Sequence, residues 1–190
     1  GKTYIAKKFA SAIICDTELE PSRMKMVQFH PSYSYEDFVE GYRPTIGSTG
    51  EMTFELQDGP IKQIARDATL SWEIHKIRES DSPVDPYVLI IDEINRANLS
   101  KVLGELFYLL EYRDQSIQLQ YSDKPFLLPP NLYIIGTMNT ADRSIATVDA
   151  ALRRRFHFYP LFPDRPPVQG LLERWMTRHN PSFIWIAKVV

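Results

Sequence analysis

Disulfides cannot hold this chain together, because its 190 residues contain a single cysteine, Cys15. One thiol excludes a secreted disulfide scaffold and fits a reducing compartment, so the expected location is the cytoplasm. Cys15 itself reads as a buried helix residue rather than a reactive thiol. Long apolar runs are missing too: none approaches the roughly 18 to 20 residues that a membrane helix needs, and no membrane partner is expected. An excess of positive charge is also missing, since 22 Lys and Arg stand against 24 Asp and Glu. No overall basic field can then hold nucleic acid through phosphate contacts, and any DNA contact must be local or supplied by another domain. The sequence has no internal repeat and no low-complexity tract. It opens on Gly1 rather than Met and reads as cut at both ends.

The length suits one α/β domain plus the start of a second. Ile5, Phe9 and Ile13 recur at helical spacing with Lys7 and Lys8 opposite, which predicts an amphipathic helix over 3–14. MKMVQF at 24–29 reads as a buried strand. Ser34 followed by Asp37 predicts a capping box that opens a short helix through Val39, ended by Gly41 and Pro44. Gly47, Gly50 and the alternation in MTFELQ predict a hairpin over 43–58, and a helix follows from Pro60 to about Arg78. Beyond a loop at 80–86, YVLIID is a continuous apolar run, the pattern of a parallel strand covered on both faces. One helix is expected over 99–112 with Leu103, Leu106, Phe107 and Leu110 on one face, then a second hairpin from SIQLQY and KPFLL. NLYIIGT reads as another buried strand, 146–153 as a short helix and FHFYPL as a last strand. The expected fold class is α/β, a three-layer core with a parallel sheet and hairpin insertions over 1–162. Residues 163–190, with LLERWMTRH, open a helical subdomain.

Four strings carry chemistry. Gly1, Lys2 and Thr3 match the last three positions of the phosphate loop G-x-x-x-x-G-K-[ST], where helix-mouth N–H groups and the lysine draw phosphate and the hydroxyl holds Mg2+. Alone, GKT is more often an ordinary helix start. In YVLIIDEINRAN the strand runs straight into Asp92 and Glu93, at the strand end where open α/β sheets put their ligands. Asp92 would bind Mg2+, directly or through water, and Glu93 would orient and deprotonate the attacking water. A strand ending in a solvated turn is the plainer account of such an acid pair, and the GKT helix weighs against it. IIGTMNTADRS places Asn139 just past a second strand, where a neutral amide can hold both a γ-phosphate oxygen and the lytic water. Asn139 can equally cap a turn. Asp142 joins the nucleotide-binding set and, like Ser144, is placed to cap the next helix. In ALRRRF, Arg154 and Arg155 are the candidates to reach a γ-phosphate bound by a neighbouring subunit. The bland alternative is a helix-ending charge cluster that complements the macrodipole.

Taken in order, GKT, QFHPSYSYEDFVEGYRP, IIDEINRANLSKVLGEL, GTMNTADRS and VDAALRRRF resemble the McrB family of AAA+ P-loop nucleoside triphosphatases over nearly the entire chain. MNTADRS and SYSYEDFVEGYRP are more specific to that family than the nucleotide motifs. The resemblance implies a GTP-hydrolysing homo-oligomeric ring, a hexamer. It implies a nuclease subunit of the McrC type as partner, and DNA translocation after a separate N-terminal domain has recognised a modified base. The hairpins at about 43–58 and 115–128 are similar to those of the AAA+ clade that also holds MoxR-like and dynein-related ATPases. Two parts of the family pattern lie outside this sequence: the strand and first five positions of the phosphate loop, and the arginine-bearing segment of the helical lid. The motif chemistry fits ATP as well as GTP. Two other readings follow from the residues, a MoxR-like ATP-driven protein-remodelling machine and a nucleotide-dependent assembly module that does not hydrolyse. A pure scaffold has no need of Glu93.

Overall fold

The computed structural model describes residues 1–15, 20–47, 50–78, 83–139, 150–162, 165–166, 168–179 and 181–182. They belong to two units, Gly1–Arg155 and Phe156–Val190. The first runs α1 (Lys2–Ile14), α2 (Glu20–Arg23), β1 (Met24–Gln28), α3 (Tyr35–Phe38), β2 (Glu40–Ile46), β3 (Met52–Asp58), α4 (Pro60–Arg78) and β4 (Tyr87–Asp92). A 3-10 turn (Ile94–Arg96), α5 (Leu99–Leu103), α6 (Leu106–Glu111), β5 (Ile117–Gln118), β6 (Pro125–Phe126), β7 (Leu132–Gly136) and α7 (Ala150–Arg155) follow. The second unit contributes α8 (Leu171–His179). Among the described residues no helix is long and apolar enough to cross a membrane.

β1, β4 and β7 form a parallel sheet in that order. Every residue of β4 from Val88 to Ile91 is buried, and alternation along a strand explains how. Val88 and Ile90 take the Ala6, Ala10 and Ile14 stripe of α1, with Met24 and Ile135 at its margin. Leu89 and Ile91 face the other way. Lys25, the register partner of Leu89, reaches Gln63 of α4 on that side, and α4 buries Ile61, Ile64, Ala65 and Ala68. Helix, sheet and helix make the expected three layers, which is why YVLIID carries no polar alternation.

Several local expectations need correction. The fully buried stripe of α1 is Ala6, Ala10 and Ile14; of the expected Ile5, Phe9 and Ile13, Ile13 packs at the margin of that cluster, Ile5 is half-buried and Phe9 is exposed. Alanines at i and i+4 let the helix backbone lie close to the strands, so the small face wins over the bulky one. Cys15 is exposed instead of buried, because it sits past the last helical residue in a left-handed conformation at φ 56. The single helix expected over 99–112 is two, broken at Gly104, whose φ of 48 favours glycine and whose Cα faces the Tyr35 ring. FHFYPL forms no strand: 157–162 is irregular, and among the described residues the outer edge of β7 carries no neighbour to pair with. The helix expected over 146–153 is described only as Ala150–Arg155.

The capping box forms as expected, the Ser34 N–H donating to Asp37 Oδ2 at 3.1 Å. Both hairpins form, β2 with β3 and β5 with β6, each antiparallel. Gly59 lets the second strand of the first hairpin pass against α3, since a Cβ there would stand 2.3 Å from the Phe38 carbonyl oxygen. Of the tyrosines in the family-specific string, Tyr33 stacks on Phe29 and Tyr35 donates to Glu105 at 2.7 Å, so both serve packing within the unit. Tyr42 is exposed and edges onto Tyr121.

Glu40, fully buried, is the joint between these pieces and lies within the family-specific string SYSYEDFVEGYRP. Its Oε1 accepts the Tyr121 and Ser122 N–H groups, each at 2.9 Å, and its Oε2 takes the Lys62 ammonium at 2.5 Å. Lys62 also pairs with Asp58 at 2.8 Å. Burial alone would raise the Glu40 pKa, but Lys62, Ser122 and the Tyr121 N–H outweigh it and hold the carboxyl below its ordinary value. Burial would likewise lower Lys62, and its two carboxylates more than reverse that. A carboxyl with a lowered folded pKa stabilises the fold fully above its unfolded pKa and loses that contribution as pH falls through the folded value. Lys62→Met leaves Glu40 buried without its cation and is expected to cost about 3 kcal/mol at neutral pH, the low end for a buried pair because Lys62 keeps partial solvent access. Urea unfolding of the intact protein checks this: the deficit should shrink in acid, where Glu40 can take up a proton.

Candidate active site

Because β4 and β7 are parallel and adjacent, their carboxyl ends open on one side of the sheet, and the start of α1 meets them there. Gly1 caps α1 through its carbonyl, which accepts the Ile5 N–H at 3.3 Å, and Lys2 lies exposed in the first turn. The Thr3 hydroxyl donates to Asp92 Oδ1 at 2.9 Å across 89 residues of sequence. The helix mouth and the first acid of the pair are thus in direct contact.

Glu93, the second acid, sits at φ 55 and ψ 43 and caps the 3-10 turn that follows. A left-handed conformation in a residue with a side chain costs on the order of 1–3 kcal/mol and persists only where the surroundings impose it. Here β7 does so. The Glu93 N–H donates to Thr137 Oγ1 at 3.2 Å, and the Ile94 N–H donates to the Thr137 carbonyl at 2.9 Å. The chain therefore turns sharply off the strand and keeps Glu93 beside Asp92 instead of letting it run on along the ladder. Glu93 Oε2 is buried and lies 3.4 Å from Arg96 Nε, with no hydrogen-bond partner among the described residues. Asn95 Oδ1 is in the same condition, while Asn95 Nδ2 donates to the Asn139 carbonyl at 3.3 Å. Glu93 Oε2, with only the Arg96 guanidinium nearby, and Asn95 Oδ1 are thus buried acceptors that receive no hydrogen bond from the described residues just past the tip of β4, a place suited to water or a ligand.

The structure thus brings together Thr3, Asp92, Glu93 and the backbone of Asn139, with Gly1 and Lys2 on the turn that opens α1. Arg154 and Arg155 end α7 elsewhere in the same unit. Arg155 is paired with Glu111 of α6 at 2.6 Å and lies over the Phe107 ring at 5.4 Å, whereas Arg154 is exposed. Asp142 and Ser144 lie outside the described residues. Thr137, Asn95 and Arg96 lie inside the quoted strings and join the candidate site without having been given a role in it. The signal available in the sequence is modest: a hydroxyl residue at the end of a strand due to lie beside the acidic one, and two polar residues directly after the acid pair.

The donor set fits magnesium. Thr3 and Asp92 offer hard oxygen ligands, and among the described residues no group of three or more His, Cys, Asp or Glu could cage an ion. A site with one hydroxyl and one carboxylate suits a cation that keeps waters and substrate phosphates as its other ligands.

The profile of the AAA domain, dynein-related subfamily, matches residues 1–156. The type IV methyl-directed restriction enzyme EcoKMcrB subunit of Escherichia coli strain K12 is 42% identical over 97% of this chain. The type II restriction enzyme BsuMI component YdiS of Bacillus subtilis strain 168 is 27% identical, also over 97%. This chain spans 38% of the first relative and 62% of the second. A solved structure from Cytophaga hutchinsonii aligns with 95% of the chain and 52% of its own at a TM-score of 0.45 and 15% identity. The McrB-like strings, the α/β core with its two hairpins and the family profile agree: the chain belongs to the dynein-related subfamily of AAA domains.

Proposed function

We propose that this chain is the nucleotide-hydrolysing core of a ring-forming motor that uses GTP to move DNA for restriction. The observation that carries the proposal is the Thr3–Asp92 hydrogen bond with Glu93 beside it on a strained turn. Gly1 and Lys2 at the mouth of α1 would take the phosphates. Thr3 Oγ1 and Asp92 would hold magnesium, which when bound neutralises charge on the outer phosphates. Glu93, at the strand tip, would accept a proton from the attacking water, and Asn139 would orient that water against the terminal phosphate. Asp142 belongs to the same proposed nucleotide-binding set. Arg154, exposed at the end of α7, would complete a neighbouring subunit's site, while Arg155 would first have to leave Glu111.

The restriction setting is supported by the names of the two relatives, a subunit and a component of restriction enzymes. It brings with it a nuclease-bearing partner subunit, DNA recognition by a separate domain, and a hexameric ring. Phosphate release by the intact protein from GTP and from ATP, with magnesium and with or without the nuclease subunit, tests this. GTP turnover that rises when the nuclease is added is the expected result. Turnover of ATP alone, unchanged by the nuclease, would replace the restriction motor with a remodelling ATPase.

A further inference from the structure

We infer that Thr137 is a positioning residue for this reaction, fixing the Asp92 carboxylate and the Glu93 backbone from the tip of β7. The inference rests on the magnesium-nucleotide reading of the site. A threonine hydroxyl has one proton and two lone pairs. Its proton goes to Asp92 Oδ1 at 2.5 Å, and a lone pair accepts the Glu93 N–H at 3.2 Å. Thr137 and Asp92 are each only 9% exposed, so water competes poorly for either bond. The Thr137 carbonyl takes the next N–H, that of Ile94. One residue at the end of β7 thus accepts two successive N–H groups of the turn that displays Glu93.

The same hydroxyl decides which oxygen of Asp92 is presented. Oδ1 receives two protons, from Thr3 and from Thr137, and rotating the carboxylate breaks both bonds. Oδ2 accepts no hydrogen bond from the described residues and is the oxygen left for a ligand. Valine has the shape of threonine without the hydroxyl. Thr137→Val removes one donor from a buried carboxylate and strands the Glu93 N–H, while Thr137→Ser keeps both bonds.

Residues that orient metal ligands typically contribute about 10–100-fold to metal affinity or activity. In the intact protein, Mn2+ binding in the presence of guanylyl imidodiphosphate, read by electron paramagnetic resonance, should weaken by that factor in Thr137→Val. The magnesium concentration for half-maximal turnover should rise in step, with nucleotide affinity measured without metal unchanged. Thr137→Ser should restore both. If the valine variant does not fold, Thr137→Ala is read in the same way. Wild-type Mn2+ affinity in a folded valine or alanine variant overturns the role of Thr137 and leaves the nucleotide site standing. A wild-type protein that binds no Mn2+ with either guanylyl or adenylyl imidodiphosphate overturns the nucleotide site, and this inference with it.

Discussion

Glu93→Gln in the intact protein is expected to reduce nucleotide turnover by about 10²–10⁴-fold while nucleotide binding and ring assembly persist. Glutamine has nearly the same size, keeps the backbone N–H that Thr137 accepts, and leaves Asp92 and Thr3 untouched. What it loses is the ability to take a proton at the strand tip, together with the negative charge facing Arg96. The substitution therefore separates proton transfer from binding, which also distinguishes an enzyme from an assembly module. Single-turnover phosphate release beside equilibrium binding of a fluorescent nucleotide gives both numbers. Equal turnover in variant and wild type would remove Glu93 from the chemistry. Equal loss of binding and turnover would mean that its part is to hold the turn.

Arg154→Ala is expected to cost about 10³–10⁵ in turnover, the range for an arginine that stabilises charge on a transferring phosphoryl group. The geometry divides the arginine run. Arg155 is held by Glu111 and lies over Phe107, and its side chain is 18% exposed, so it serves first to pin α7 to α6. Arg154 is exposed at the end of the same helix. A group that works across a subunit boundary has a specific signature. Mixing Arg154→Ala subunits with Glu93→Gln subunits should restore part of the turnover, because some boundaries then pair an intact Glu93 with a neighbour's intact Arg154. Turnover that stays at the level of the separate variants at every mixing ratio would place Arg154 within its own subunit or outside the reaction.

Local chemistry makes much of this legible in the amino-acid sequence. An uninterrupted apolar run needs burial on both faces, and β4 has it, while the first of the two acids at its end meets Thr3 and Thr137. The Ser34–Asp37 box and the two hairpins are equally local, fixed by capping and turn residues a few positions apart. What stays hidden depends on distant partners. Thr137 matters only because β7 lies parallel to β4 and 45 residues separate it from Asp92. Glu40 takes its place in the core only because Lys62, Tyr121 and Ser122, all distant in sequence, gather around it. Apolar periodicity allows two neighbouring stripes on α1, and only the sheet beneath selects the alanines. The split at Gly104 is set where the Tyr35 ring comes against that glycine, a contact between residues far apart in the sequence. Three successive arginines are alike as letters, and the Glu111 contact distinguishes one of them.

The mouth of α1 and the tips of β4 and β7 are proposed to serve one metal-bound triphosphate. A crystal structure of the intact protein with Mn2+ and guanylyl imidodiphosphate, the metal located by its anomalous signal, tests it most directly. The metal should be bound by Thr3 Oγ1 on the Oδ2 side of Asp92, with the terminal phosphate facing Glu93 and Asn139. A triphosphate and metal bound away from α1, with the Thr3 hydroxyl and Asp92 outside the coordination sphere, would rule out a nucleotide site at these strand tips.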